Sequence, residues 1–258
     1  MSRREHHISA RPKRRRRWFG RLGGGLKALW PKRWRARIFL ILLLLALLPG
    51  LLLLPFRWLP VVQTTFMVNS RVAALMDDKP RPRFVRDWEP LERISPKLAQ
   101  AGTADVGKLF FETSGFDLKA MRKAFAHNRV KKKVRGGSTI SQQLAKNLFL
   151  WSGRSYLRKG LEAYCTVWIE LLWPKQRILE VYLNVVEFGD QTYGAEAAAL
   201  RYFGKPAARL SAREAALMAA VLPSPKRWSV GKPGPYVQRR AARIQAQMAP
   251  LPFNYPKP

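Results

Sequence analysis

Residues 38–56 read IFLILLLLALLPGLLLLPF and carry no charged side chain. A helix needs roughly 20 apolar residues to cross a bilayer, whereas a core helix of a soluble protein keeps a polar face. This run has no such face, so it reads as a membrane-spanning helix. Pro49-Gly50 would weaken a helix in water but is tolerated in a spanning one. The rival reading is a cleaved signal peptide, whose apolar core is typically about 7–15 residues and ends at a small-x-small site. No such site follows in Phe56-Arg57-Trp58-Leu59-Pro60. An uncleaved anchor over residues 38–58 is the expectation.

The flanks set its direction. Residues 1–37 contain the unbroken run Arg14 to Arg17 and a single acid, Glu5, and with no hydrophobic period they read as a disordered basic segment. The positive-inside rule puts that flank in the cytoplasm and everything after Trp58 outside. A run of Arg is also an electrostatic footprint of nucleic-acid binding. Placed directly before a spanning helix it is more economically a topology signal that touches anionic headgroups, and no nucleic-acid partner is expected. Over the whole chain 48 Lys and Arg face 16 Asp and Glu, and a net charge of +32 calls for an anionic partner, whether acidic lipid or pyrophosphate. A hydrophobic share of 47% excludes a disordered chain, and the one Cys excludes a disulfide framework and a zinc site of several thiolates.

From about residue 62 the pattern is helical. Leu118 to Val134 is basic and amphipathic. Thr139-Ile-Ser-Gln142 is a capping box opening a helix to about Leu150, preceded by two glycines that let backbone approach a ligand. Further helices are expected over Leu157–Trp173, Lys175–Asn184 and Tyr193–Tyr202, with one capped by Ser211 and Glu214 running to Leu222. Residues 62–248 then form one mainly α domain, and 249–258 a Pro-rich tail.

Chemistry concentrates in three runs. GGSTISQQLAKN, residues 136–147, sets a capped helix start with free N–H groups where a phosphate would sit, with Lys146 two turns on. The ordinary alternative is a capped helix whose Gln pair faces solvent. The run from Arg154 to Glu162 places Arg158 and Glu162 four apart on one helix face, which on a surface would be an ion pair worth almost nothing. The third run is KQRILEVYLNVVEFG, residues 175–189, continuing to Tyr193-Gly-Ala-Glu196.

These runs in this order resemble the peptidoglycan glycosyltransferases, the lysozyme-like polymerase domain of class A penicillin-binding proteins and of monofunctional biosynthetic transglycosylases. The resemblance covers roughly residues 65–245 and includes the single anchor, so the monofunctional form is the closer match. It implies a lysozyme-like α-helical glycosyltransferase domain behind one N-terminal transmembrane helix, in the periplasm at a bacterial inner membrane. It implies polymerisation of lipid II into the growing glycan chain, with release of undecaprenyl pyrophosphate and inversion at the anomeric carbon. Ser138, Thr139, Gln142, Lys146 and Arg154 would line the donor pyrophosphate site. Arg158, Lys159 and Glu162 would match a second block, whose Glu orients or neutralises the leaving group. No cofactor is required by the sequence, although the family sometimes places a divalent metal, Mg or Mn, at the pyrophosphate. Cell-wall synthesis or division proteins are the implied protein partners.

The sequence departs from the family's first block, Glu-Asp-x-x-Phe-x-x-His-x-Gly, whose Glu is the general base. Aligned without gaps, Val106 stands at the Glu, Gly107 at the Asp and Thr113 at the His. Asp105, one residue earlier, is the candidate displaced base; Glu112 is the other nearby carboxylate and reads as surface. Three readings follow, in this order: a polymerase with an altered base, a lipid II-binding scaffold without catalysis, and a lysozyme-like hydrolase. The hydrolase would need a protonated carboxyl and usually a second carboxylate.

Overall fold

The structure, a computed structural model, describes residues 24–77, 85–106, 110–130, 137–153 and 155–248. The tail from 249, the lysines at 131–133 and Arg154 lie outside the described residues. The chain divides between Leu48 and Pro49 into two compact units.

The first unit holds most of α1, Gly24–Leu53. The helix therefore starts well inside the basic segment, where no regular structure was expected, and it runs through Pro49-Gly50 unbroken. Once the apolar run is helical, each further residue of the Leu, Ala, Lys and Arg-rich flank adds a hydrogen bond without a new nucleation cost. Trp34 to Arg57 is long and apolar enough to cross a membrane. The consecutive Phe39, Leu40, Ile41 and Leu42 are all exposed and go right round the helix, so no polar face exists there to turn toward water.

The second unit is helical. Its elements are α2 (Thr65–Leu75), α3 (Pro96–Val106), α4 (Leu118–Val130), α5 (Ile140–Phe149), α6 (Tyr156–Leu172), α7 (Lys175–Val185), α8 (Ala195–Phe203), α9 (Ala212–Val221) and α10 (Pro235–Met248). Two groups pack: α5 against α2, α6 and α7, and α9 against α3 and α10. Between them lies a small sheet in the order β1 (Val85–Arg86), β3 (Thr192–Tyr193), β2 (Glu187–Gly189), with β1 and β3 parallel and β2 and β3 antiparallel. The sequence reading had Tyr193 beginning a helix. Instead Thr192-Tyr193 pairs on both sides, because the chain must return across Glu187 before α8 can start at Ala195.

The core is built from the apolar stripes of these helices, with Leu144, Ile169, Ile178, Leu179, Tyr182, Phe188 and Tyr193 fully enclosed. Asn184 is one of the polar residues enclosed with them. It accepts from Glu89 N at 2.8 Å and donates to Glu89 O at 2.7 Å and to Glu180 O at 2.9 Å. The amide side chain thus imitates a strand neighbour and pins the segment after β1 to α7.

The last turn of α1 and the segment after it belong to this second unit. Trp173 Nε1 donates to Leu53 O at 3.0 Å, Arg57 to Leu172 O at 2.7 Å, and Arg177 to Phe56 O at 3.0 Å. Gly50 lies flat on the Trp168 ring, and a Cβ there would stand 2.6 Å from it. Gly50→Leu should therefore lower stability in detergent by about 1–3 kcal/mol, the usual cost of overpacking. Gly102→Ala, where a Cβ meets no atom within 4 Å, should be neutral or gain up to about 1 kcal/mol of helix propensity. Urea unfolding of both variants checks the pair.

Candidate active site around Lys146 and Glu162

The start of α5 is built as the sequence predicts. Thr139 N donates to Gln142 Oε1 at 3.1 Å while Gln142 N donates to Thr139 Oγ1 at 3.3 Å, a closed capping box. The Thr139 hydroxyl also donates to Gly115 O at 2.6 Å. Gly115 has φ +82°, and a Cβ there would lie 2.7 Å from Glu170 Cγ, so only glycine brings that carbonyl in. The Gln pair does not face solvent: Gln142 is buried, and Gln143 accepts from Tyr182 Oη at 3.0 Å. Gly137 has a different use from the one expected. A Cβ there would meet Ala124 Cβ at 3.2 Å and Ala120 O at 3.3 Å, so this glycine lets the loop pass close to α4.

Helix α6 supplies the charges. Ser155 caps it, accepting from Arg158 N at 3.1 Å. One turn on, Glu162 is 3% exposed, which excludes the surface ion pair considered above. Arg158 Nη1 meets its Oε2 at 3.2 Å, Lys159 Nζ bonds its Oε1, and the same ammonium donates to Ser138 Oγ at 2.9 Å. Ser138, Arg158, Lys159 and Glu162 are thus brought into one cluster that ties the loop before α5 to α6. Removing one partner of a buried pair typically costs about 3–5 kcal/mol, because the other charge is stranded.

Lys146 joins this cluster from the second turn of α5. Burial lowers its pKa most, Glu162 and Glu187 raise it, and Arg158 and Lys159 lower it. Among the described residues it donates to no protein acceptor; its ammonium lies 5.3 Å from the centre of the Phe66 ring. Three cations thus surround one compensated carboxylate, leaving net positive charge at a partly enclosed place. Both oxygens of Glu162 are taken by cations, and the described residues contain no group of three metal-ligating side chains. This donor set does not fit a divalent ion; it fits an anion.

The first block is arranged differently. α3 ends at Val106, so the position of the expected base is the last residue of that helix. Asp105 is on the same last turn, with its side chain outside the described residues. Glu112 is exposed, and Thr113 offers its carbonyl to Lys175 Nζ at 2.6 Å.

Sequence reasoning missed two features. Leu157, Leu161, Tyr164 and Leu171 stand exposed on α6 in one stripe with the half-buried Trp168; their spacing of four, three, four and three was readable. Glu187 and Lys226, 39 residues apart in the chain, were not readable as a pair. They line a cavity of about 290 Å³ with Phe66, Lys146, Asn147 and Val186.

A family model described as transglycosylase matches residues 74–249. Among curated proteins, the biosynthetic peptidoglycan transglycosylase of Pseudomonas syringae is 51% identical over 201 residues, 78% of this chain and 85% of that protein. The one from Pseudomonas aeruginosa is 50% identical over 212 residues, 82% of this chain and 91% of that protein.

Thr139→Ala removes a helix cap and the bond to Gly115 together. A loss of about 1–2 kcal/mol is expected, read by urea unfolding, against a few tenths for Thr139→Ser, which keeps both bonds.

Proposed function

This chain belongs to the transglycosylase family, and from that premise we propose that it polymerises peptidoglycan glycan chains from lipid II while anchored in a bacterial inner membrane. The observation that carries the proposal is the buried Arg158–Glu162–Lys159 clamp with Lys146 beside it and, among the described residues, without an acceptor of its own. A departing pyrophosphate needs fixed positive charge that requires no reorganisation as the bond breaks. A hydrolase acting on neutral glycan has no use for it. In this reading Lys146 and Lys159 hold the pyrophosphate with Ser138 bonded to Lys159, and Arg154 is assigned to the same group by the family resemblance alone. Arg158 holds Glu162, and Glu162 keeps both cations in register. Thr139 and Gln142 act through the helix start they close. No metal enters the mechanism.

Anchoring is supported by the apolar helix from Trp34 to Arg57 and by the exposed stripe of Leu157, Leu161, Tyr164 and Leu171. The basic flank before the helix supports a cytoplasmic N-terminus and a periplasmic domain. A reporter fused after Pro258 should be active outside the cytoplasm and inactive within it; recovery of a processed soluble protein would contradict the anchor.

A second reading, a lipid II-binding scaffold, is favoured by Val106 at the end of α3, which cannot accept a proton. Purified full-length protein in detergent separates the two. Chain formation from lipid II is expected, and Lys146→Met should reduce it by about 10²-fold or more, as for loss of one transition-state charge contact. Lipid II binding without any chain formation would leave the scaffold.

A further inference from the structure

With Val106 at the family's base position, the acceptor hydroxyl needs another carboxylate. It must be buried enough to hold a proton near neutral pH, open to a cavity, and near the cations that take the leaving group. The carboxylates of α6 fail the test. Glu162 is held by Arg158 and Lys159, and Glu170 by Lys175 at 2.7 Å and by the Ser141 hydroxyl. Glu180 is held by Arg177 at 2.6 Å, and Glu196 accepts Ala207 N at 2.7 Å. Glu214 closes a capping box on α9.

Glu187 on β2 passes. It is 5% exposed, its Oε1 accepts no hydrogen bond, and Lys226 Nζ is 4.0 Å away, too far for one. It lines the cavity that Lys146 also lines. Lys146 therefore stands between two buried carboxylates: Glu162, saturated by cations, and Glu187, left short of partners. We propose that Glu187 is the catalytic base of this transglycosylase, taking the proton of the acceptor sugar hydroxyl at the cavity shared with Lys146.

The inference rests on the polymerase reading above. In the step, the acceptor 4-hydroxyl oxygen forms its bond to the anomeric carbon of the donor as the bond from that carbon to the pyrophosphate oxygen breaks. The electron pair of the broken bond leaves on the pyrophosphate, toward Lys146 and Lys159. The hydroxyl proton passes to Glu187, which returns it to solvent before the next cycle.

The surroundings of Glu187 suit that role. Burial pushes its carboxyl up to about 7; Lys226 pulls it down, Asp190 pushes it up, and bonds from Tyr193 and the Gln191 backbone pull it down. Lys146 faces it from α5. On the α2 side, Ser70 accepts from Lys226 Nζ at 3.4 Å and from Gln191 Nε2 at 3.0 Å, holding both neighbours in place. A base is most effective when its pKa lies near the working pH. Activity should then rise with pH through about 7 as Glu187 loses its proton. Lys226→Met removes a group that lowers the Glu187 pKa, so the acidic limb should move to higher pH, a change that a purely structural contact would not produce.

The deciding experiment measures chain formation and lipid II binding by full-length protein in detergent for native, Glu187→Gln, Glu187→Asp, Lys226→Met and Asp105→Ala. Expected results are chain formation by native protein, a fall of about 10²–10⁴-fold in Glu187→Gln with binding within about threefold of native, and partial recovery in Glu187→Asp. Thermal unfolding midpoints identify any variant that has failed to fold, and the acidic limb of native protein against Lys226→Met decides the matter if Glu187→Gln is one of them. Native chain formation together with a fully active Glu187→Gln overturns the assignment and leaves the polymerase reading intact. An inactive Asp105→Ala beside that result gives the role to Asp105. Native protein that binds lipid II but forms no chains overturns both.

Discussion

A carboxylate taken out of water must be matched on the spot, and the arrangement of this protein's catalytic face follows from how Glu162 is matched. Arg158 is one turn back on the same helix and Lys159 three residues back, so α6 alone brings both cations to it. Lys159 then reaches across to Ser138, which fixes the loop before α5 against α6. The capping box starts α5 at Ile140, one residue after Thr139, and that start sets the phase of the helix. Lys146 arrives on the face toward Glu162 because it lies seven residues, nearly two full turns, beyond Thr139. The pair contributes little to net stability, as buried ion pairs commonly do. What it fixes is position: three cations stand in set places around one carboxylate.

The end of α1 is fixed by a different kind of contact. Arg177 and Trp173 donate to backbone carbonyls around the end of α1, and Arg57 donates to Leu172 O at the end of α6. These carbonyls would otherwise lack partners where a helix ends against protein. Gly50 supplies the flat surface on which Trp168 rests. The last turn of α1 is consequently part of the second unit.

Much of this was legible in the sequence, for identifiable reasons. The helices α5, α7 and α9 carry strong local signals, a capping box or a proline at the start, and their limits fall within a residue or two of those expected. The Arg158–Glu162 pair followed from helical spacing alone. Its burial did not, because spacing cannot say which side of α6 meets α5. The extension of α1 to Gly24 was hidden because polar residues give no hydrophobic period even when an adjoining helix propagates into them. The sheet was hidden for another reason: its strands are two or three residues long and are defined by partners as distant as Val85 and Thr192. Asn184 stood in plain view within its run, yet its use as a strand neighbour to Glu89 depends on a contact 95 residues away.

The same distance in sequence explains why a base can move. A carboxylate works as a base through its pKa, its reach and the charge beside it, and none of these ties it to one helix end. When Val106 replaces an acid at the end of α3, the demand for a proton acceptor near Lys146 remains. β2 passes the far side of Lys146 carrying Glu187, whose charge the surrounding protein matches only in part: Lys226 is 4.0 Å away and Asp190 opposes it. Glu162 could not serve, because Arg158 and Lys159 occupy both its oxygens. The two carboxylates around one lysine therefore differ in their neighbours, Glu162 paired with two cations and Glu187 with one oxygen left without a hydrogen bond. Nothing intrinsic to a glutamate distinguishes them; the groups packed around each one do.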